Sequence, residues 1–293
     1  MEVKYLMKAQ KKTVHWFLII SIAFIVATSP GCSLSEQKSI TVSIAPLISL
    51  TEAIAGDSWH VYSLIPPRNN PDDYELTIKD VMHLEDSQVV FHLSLPAEMS
   101  TLEKIQTNNP DKLLVNLTEQ SAQWLEPIHV TGTQLDPHIW LSPKRVMYLS
   151  EIIRDTLISL DPDNTVTYMD NQKQLSSKLL ILHQDWERSL MGNPDHTFLI
   201  YHPALSYLAL DYGLEMISIE QHGKEPNLKS LDKTILLAKQ KGIDTVFYQQ
   251  EFPREKATTI ASEIGATAVP LSLLDEDYFD MMNNLLEIFD DIL

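Results

Sequence analysis

Short apolar runs alternate along the chain with stretches whose apolar residues recur every three or four positions. In the first half the runs predict strands at Ile40–Ile44, His60–Ile65, Gln88–Leu93 and Leu113–Leu117. Between them the helical period predicts helices at Leu47–Ala55, Ile78–Asp86 and Ala97–Gln106. Ser142-Pro143 places an N-cap residue before a proline at the first helical position, which predicts a helix running to about Leu160. The theme then repeats, with strands at Thr197–Tyr201, Glu215–Ile219, Asp244–Tyr248 and Thr267–Leu271. Its helices fall at Ala204–Asp211, Leu228–Gln240, Arg254–Ile264 and Tyr278–Ile292. Alternation of this kind builds parallel sheets covered by helices. The predicted fold is therefore α/β, with two similar lobes, each a short, mostly parallel sheet flanked by helices.

The stretch between the halves predicts what joins them. Asp163 to Leu190 has no glycine or proline, and Val166, Met169, Leu175, Leu179, Leu182, Trp186 and Leu190 follow a step of three or four with one gap at Gln172. This describes one amphipathic helix of roughly 25 residues, near 40 Å long at 1.5 Å per residue. Such a helix is a rigid spine that limits hinge motion, and a ligand would sit in the cleft between lobes, outside the carboxyl ends of the strands. The predicted organisation is an N-terminal lobe at 39–162, a linking helix at 163–191 and a C-terminal lobe at 192–293.

The first residues carry a different signal. Lys4, Lys8, Lys11 and Lys12 precede an apolar stretch from Trp16 to Ala27, which is of secretory length and too short for a comfortable permanent span. Residues 1–31 are expected to be a signal peptide. Cys32 is the only cysteine, so no internal disulfide can form. Placed directly after Gly31, it resembles the lipid-acceptor cysteine of a bacterial lipoprotein, with 32–38 as tether. Removing four lysines and Glu2, a net of +3, takes the formal charge from −18 to −21. That balance argues against nucleic acid as a partner and offers no basic patch to anionic lipid.

Two histidines stand at matched places in the halves. His138 lies in Asp136-Pro137-His138-Ile139-Trp140, and His202 in Tyr201-His202-Pro203, directly after a predicted strand. Paired imidazoles from two lobes, joined by a carboxylate, suit zinc, manganese or iron. Against this stands the absence of any compact H-x-x-H or C-x-x-C signature, which leaves two ordinary histidines as the competing reading.

The stretches Ile44-Ala45-Pro46-Leu47, Leu64-Ile65-Pro66-Pro67, Pro71-Asp72-Asp73-Tyr74-Glu75 and Asp136 to Pro143 (DPHIWLSP) belong to one pattern. Tyr201-His202-Pro203-Ala204, Asp211-Tyr212-Gly213-Leu214 and Gly223-Lys224-Glu225-Pro226 continue it. Together they resemble the solute-binding receptors of bacterial zinc and manganese ABC importers over essentially the whole chain after the leader. The resemblance implies two α/β lobes on a backbone helix, one divalent metal as cargo in the cleft (zinc first, manganese or iron next), and a membrane permease as partner. It implies a monomeric, extracytoplasmic lipoprotein, and His138 and His202 as ligands.

Two family positions differ here. Asp72 stands where the family has a histidine; a carboxylate there moves preference from nitrogen-rich zinc binding toward manganese or iron. Ser272 stands where the family has its last aspartate, so Asp275, Glu251 or water is expected to complete the set. Asp136 is expected either to hydrogen-bond a ligand histidine or to cap the turn, and Trp140 and Tyr74 to pack the cleft.

Two other classes fit parts of the pattern. An adhesin-like or partner-binding lipoprotein would keep the fold with a vestigial site. A metallohydrolase would use two histidines, one carboxylate and a water, with Glu225, Glu251 or His222 as general base. His60, His83, His92, His129, His183 and His196 have no partner spacing, and no phosphate loop or nucleophile motif occurs.

Overall fold

The computed structural model describes residues 38–191, 197–220 and 226–292. The expected signal peptide, Cys32 and nearly all of its tether lie outside the described residues, as do His196, His222 and the Gly223-Lys224-Glu225 run. Among the described residues no helix is long and apolar enough to cross a membrane.

Four parallel strands form the first sheet: β1 (Lys38–Ile44), β2 (Trp59–Ile65), β3 (Val89–His92) and β4 (Leu113–Asn116), in the order β2-β1-β3-β4. Helices α1 (Pro46–Ala55), α2 (Ile78–Asp86), α3 (Pro96–Asn108) and the short α4 (Leu117–Ser121) connect and cover them. In β1, Ile40, Val42 and Ile44 are fully buried and so are Thr41 and Ser43. Both faces are covered, as parallel sheets require. The polar pair is satisfied internally: Thr41 Oγ1 meets Ser87 Oγ at 2.6 Å, and Ser43 Oγ donates to Glu98 Oε2 at 2.6 Å. A small hairpin, β5 (His129–Thr131) with β6 (Gln134–Leu135), follows. Neither it nor α4 was expected, because elements of two to five residues are too short to show a period.

Next come α5 (Pro143–Leu160) and α6 (Thr165–Ser189), the 25-residue linking helix. Its buried stripe is Tyr168, Gln172, Leu175, Leu179, Leu182 and Trp186. The sequence pattern misplaced its first turns: Val166 and Met169 face solvent, while the apparent gap at Gln172 lies on the buried side. There Gln172 Nε2 donates to Ser150 and Ser176 and its oxygen accepts from Arg154, so a polar residue is held inside at little cost. Burying each leucine of the stripe contributes roughly 1.5–3 kcal/mol.

The second sheet holds β7 (Thr197–Ile200), β8 (Glu215–Ser218), β9 (Thr245–Gln249) and β10 (Thr267–Leu271), all parallel, in the order β10-β9-β7-β8. Counted by chain order within each half, both sheets run second-first-third-fourth, so the lobes are repeats of one topology. Pro270 is tolerated because β10 is an edge strand. Helices α7 (Ser206–Tyr212), α8 (Leu228–Gln240), α9 (Arg254–Ile264) and α10 (Tyr278–Ile292) complete the lobe. Gly213 closes α7 in the left-handed conformation, at φ 73°.

One apolar core spans both lobes. It includes Ile40, Val42 and Phe91 of the first sheet, Phe198, Ile200 and Phe247 of the second, and the inner faces of α1, α5, α6 and α10. Phe289 of α10 stacks on Phe247 at 5.2 Å and meets Trp186 of α6 edge-on at 5.7 Å. A smaller cluster backs each sheet on its other side. The shared core sets the two carboxyl edges to face one another.

Candidate metal centre

His202 stands two residues beyond β7, and the ladder continues past the strand ends: Ile219 N–H donates to Ile200 O and Glu220 N–H to Tyr201 O, both at 2.9 Å. The pairing of Ile200 with Ser218 therefore carries His202 alongside Glu220. Both are buried, and His202 Nδ1 lies 2.9 Å from Glu220 Oε2. Phe252 stacks on the His202 ring at 4.9 Å.

His138 precedes a 3₁₀ turn, Ile139–Leu141. Asp136, also buried, accepts on one oxygen from the His138 backbone N–H at 2.9 Å and lies 2.7 Å from its Nδ1. Burial alone would raise the Asp136 carboxyl; the adjoining His138 ring and its hydrogen bonds, with one from Ser206, outweigh it and hold the group below its ordinary range.

Each imidazole thus has a carboxylate at Nδ1, which places the proton there and leaves Nε2 with its lone pair free. The two Nε2 atoms face one another at 3.3 Å. Zinc bonds to imidazole at 2.0–2.1 Å, so one edge of a tetrahedron around it measures about 3.3–3.4 Å. The pair has the spacing of two metal ligands, and a carboxylate at each Nδ1 leaves each Nε2 suited to accept a cation.

These rings, with Trp140, Glu251, Leu273 and Leu274, line a cavity of about 20 Å³. That is room for one water-sized particle and not for an organic substrate. Glu251 Oε2 is buried there with no hydrogen-bond partner, and the Gln249 side-chain oxygen is likewise buried and unpaired. Burial, and secondarily the charge of Asp275, push the Glu251 carboxyl up. On the other side both histidines border a wider groove of about 260 Å³ with Asp72, Asp136 and Pro203, a route from solvent.

The remaining expected ligands are less close. Asp72 lines the cavity, yet its Oδ2 is 3.8 Å from His202 Nδ1, beside the nitrogen already held by Glu220. Asp275 is near enough to influence Glu251 but does not line the cavity. Ser272 is also outside the lining. Among the described residues no three His, Cys, Asp or Glu side chains converge into a ready ligand cluster. The structure brings together the two histidines, with the Asp72 and Glu251 carboxylates lining the same cavity. Glu220 carries no site signal in the sequence; what finds it is its place at the end of β8, beside the strand that carries His202. Tyr74, expected to pack the cleft, packs its ring against the apolar core outside the cavity lining and donates its hydroxyl to Asp80 Oδ2 at 3.0 Å.

Comparisons with known proteins bear on the fold and the family. A crystal structure of ZnuA superposes with a TM-score of 0.79 at 32% identity, covering 87% of this chain and 98% of that one. The zinc-binding lipoprotein AdcA of Streptococcus pneumoniae serotype 4 is 28% identical over 275 residues, 87% of this chain and 54% of its own length. This chain thus spans about half the length of the AdcA proteins it matches. The high-affinity zinc uptake system protein ZnuA of Bacillus subtilis strain 168 is 26% identical over 256 residues, 83% of this chain and 80% of that one. The model of the family described as zinc-uptake complex component A, periplasmic, matches residues 40–291, and the chain belongs to that family.

Proposed function

We propose that this protein is an extracytoplasmic receptor that captures one divalent transition metal, zinc first, and delivers it to the permease of an ABC importer. The observation that carries the reading is the 3.3 Å approach of His138 Nε2 and His202 Nε2, each ring held by a carboxylate at its other nitrogen. The ion lies between the two imidazoles. Asp72 closes it from the first lobe, and Glu251 or Asp275 supplies the remaining oxygen from the second. Oxygen donors beside only two nitrogens leave manganese and iron as competitors for zinc. The family is one of solute receptors and not of enzymes, and an ion-sized cavity agrees with cargo. Release follows from loosening the carboxylates, and tethering through an acylated Cys32 keeps the receptor beside its permease as a monomer.

The test is metal content and thermal melting of the purified chain after chelation, with Zn²⁺, Mn²⁺ or Fe²⁺ added in turn. One equivalent of one metal bound, with a raised Tm that His202→Ala abolishes, supports the reading. No stoichiometric metal and no shift with any ion would overturn it.

A further inference from the structure

The within-lobe carboxylates orient each ring, but they do not set the distance between rings that come from different lobes. Polar contacts across the lobes do, and four residues of the ten that carry His138 make them: Asp136, Trp140, Ser142 and Arg145. Asp136 O accepts from the Tyr207 hydroxyl of α7 at 3.0 Å, and that hydroxyl also accepts from Ile128 N–H at 3.2 Å. Trp140 Nε1 donates to Leu273 O at 3.1 Å. Arg145, in the first turn of α5, forks onto Asp211 of α7: Nε to Oδ2 at 2.7 Å and a terminal nitrogen to Oδ1 at 3.1 Å. Ser142 Oγ donates to the same Asp211 oxygen at 2.7 Å, and Arg145 Nη1 to Glu126 O at 3.1 Å.

Both ionic side chains are about 95% buried, and the guanidinium lies 4.3 Å above the Tyr207 ring. A bidentate pair so enclosed has one geometry, because any shift strands two charges away from water. Tyr207 joins this pair to the backbone of Asp136, the residue that grips His138. So the segment 136–145, though it belongs to the first lobe in sequence, is fastened to the second.

We propose that this segment is an interlobe bracket, closed by Arg145–Asp211 and by the Tyr207 hydroxyl, that holds His138 against His202 as a preformed pair before metal arrives. The inference rests on the receptor reading above. Under it the two histidines stay together through capture and release, and the carboxylates move. Arg145, Asp211 and Tyr207 are positioning residues: none reaches the ion.

The test uses the chelated chain and three forms of it: wild type, Tyr207→Phe, and Arg145→Met combined with Asp211→Leu, which exchanges the ion pair for apolar bulk that a fold tolerates. Each is titrated with Zn²⁺ against a competing chelator and with Co²⁺, whose visible absorption reports ligand geometry, and each is melted without metal. The bracket predicts affinity reduced roughly tenfold or more, in line with other partners that orient metal ligands, and an altered Co²⁺ spectrum, with the metal-free Tm of Tyr207→Phe lowered by the loss of two hydrogen bonds but the chain still folded. If the double variant does not fold, Tyr207→Phe decides. Variants that fold and match the wild type in affinity and spectrum overturn the bracket alone. A wild-type chain that binds neither ion overturns the receptor reading and the bracket with it.

Discussion

The two sheets share one strand order, yet they use their carboxyl edges differently. In the second lobe, the chain leaving β7 presents His202, that leaving β8 presents Glu220, and that leaving β9 presents Glu251. In the first lobe the matching exits carry Ala45-Pro46 after β1 and His92-Leu93 around the end of β3. Its groups for the site stand farther from the strand ends: Asp72 well along the loop that leaves β2, and His138 in a segment outside the sheet. Groups on strand ends inherit the precision of the ladder, whereas groups on loops need their own fastenings. Hence the bracket around His138, and hence also Asp80, which ties down the Asp72 loop. Asp80 accepts from the Tyr62 and Tyr74 hydroxyls at 2.7 and 3.0 Å, and from the Thr77 backbone and side chain at 2.7 and 2.8 Å.

The comparison breaks hardest at the ligands. His138→Ala and His202→Ala should each abolish tight binding, because either leaves one imidazole in an ion-sized cavity. At a metal concentration a hundred times the wild-type Kd, the lost stabilisation is about 2.7 kcal/mol, seen as a Tm that no longer responds to metal. Unchanged affinity in both variants would remove the histidines from the site.

Next in size are the orienting carboxylates. Glu220→Gln and Asp136→Asn keep the volume and remove the charge that fixes each Nδ1 proton. Affinity should drop about 10- to 100-fold in each, the range for outer partners of metal ligands. Asp136 has a further role, accepting from the His138 backbone, so its variant should also move the Co²⁺ spectrum. Equal affinities for Glu220→Gln and wild type by competition titration would show that the ladder alone holds His202.

The loop gives a smaller effect. Tyr74→Phe removes one of four donors to Asp80, about 0.5–1.5 kcal/mol of loop order. Capture should weaken by a few-fold and release should quicken, measured by stopped-flow chelation, with the global Tm little changed. An unaltered release rate would mean that Asp72 does not contact the ion.

How far the chain could be read before folding follows the same division. Strands buried on both faces leave short runs rich in β-branched residues, such as Ile40-Thr41-Val42-Ser43-Ile44, and the eight strands of the two parallel sheets were legible as short apolar runs. His202 was legible because it directly follows such a run. Glu220 was not, since its role depends on which strand lies next to β7, and pairing order has no local signature. Gln172 hid part of the helix stripe because a buried polar residue supplied with partners looks like a surface one in sequence. Asp72 was legible only by resemblance, and its approach to Nδ1 of His202 depends on loop geometry that no periodicity encodes. Arg145 and Asp211, 66 residues apart, could not be paired at all without knowing that α5 and α7 meet.

The effect smallest for metal binding, though not for stability, concerns the idle edge of the first lobe. His92 ends β3 as Gln249 ends β9, and its Nδ1 is buried with no partner. Burial depresses its pKa from 6.5 to about 4. Between those values the unfolded chain takes up a proton that the folded chain refuses, so stability is full above about pH 6.5 and falls as pH drops toward 4. The loss is at most about 3.4 kcal/mol by the usual conversion of pKa shift to free energy. Glu98, fully buried and raised to about 7 by burial against its hydrogen bonds, tilts the curve the other way: its share of stability declines as pH rises from 4.5 to 7. The two slopes overlap, so a wild-type pH profile alone hides both. Subtracting the profile of His92→Leu from that of the wild type isolates the histidine. The variant should be relatively more stable at pH 4 than at pH 7, read from urea midpoints at each pH. A difference curve flat across that window would mean that His92 accepts its proton in the folded state, and that the first lobe's edge is wetter than its packing implies.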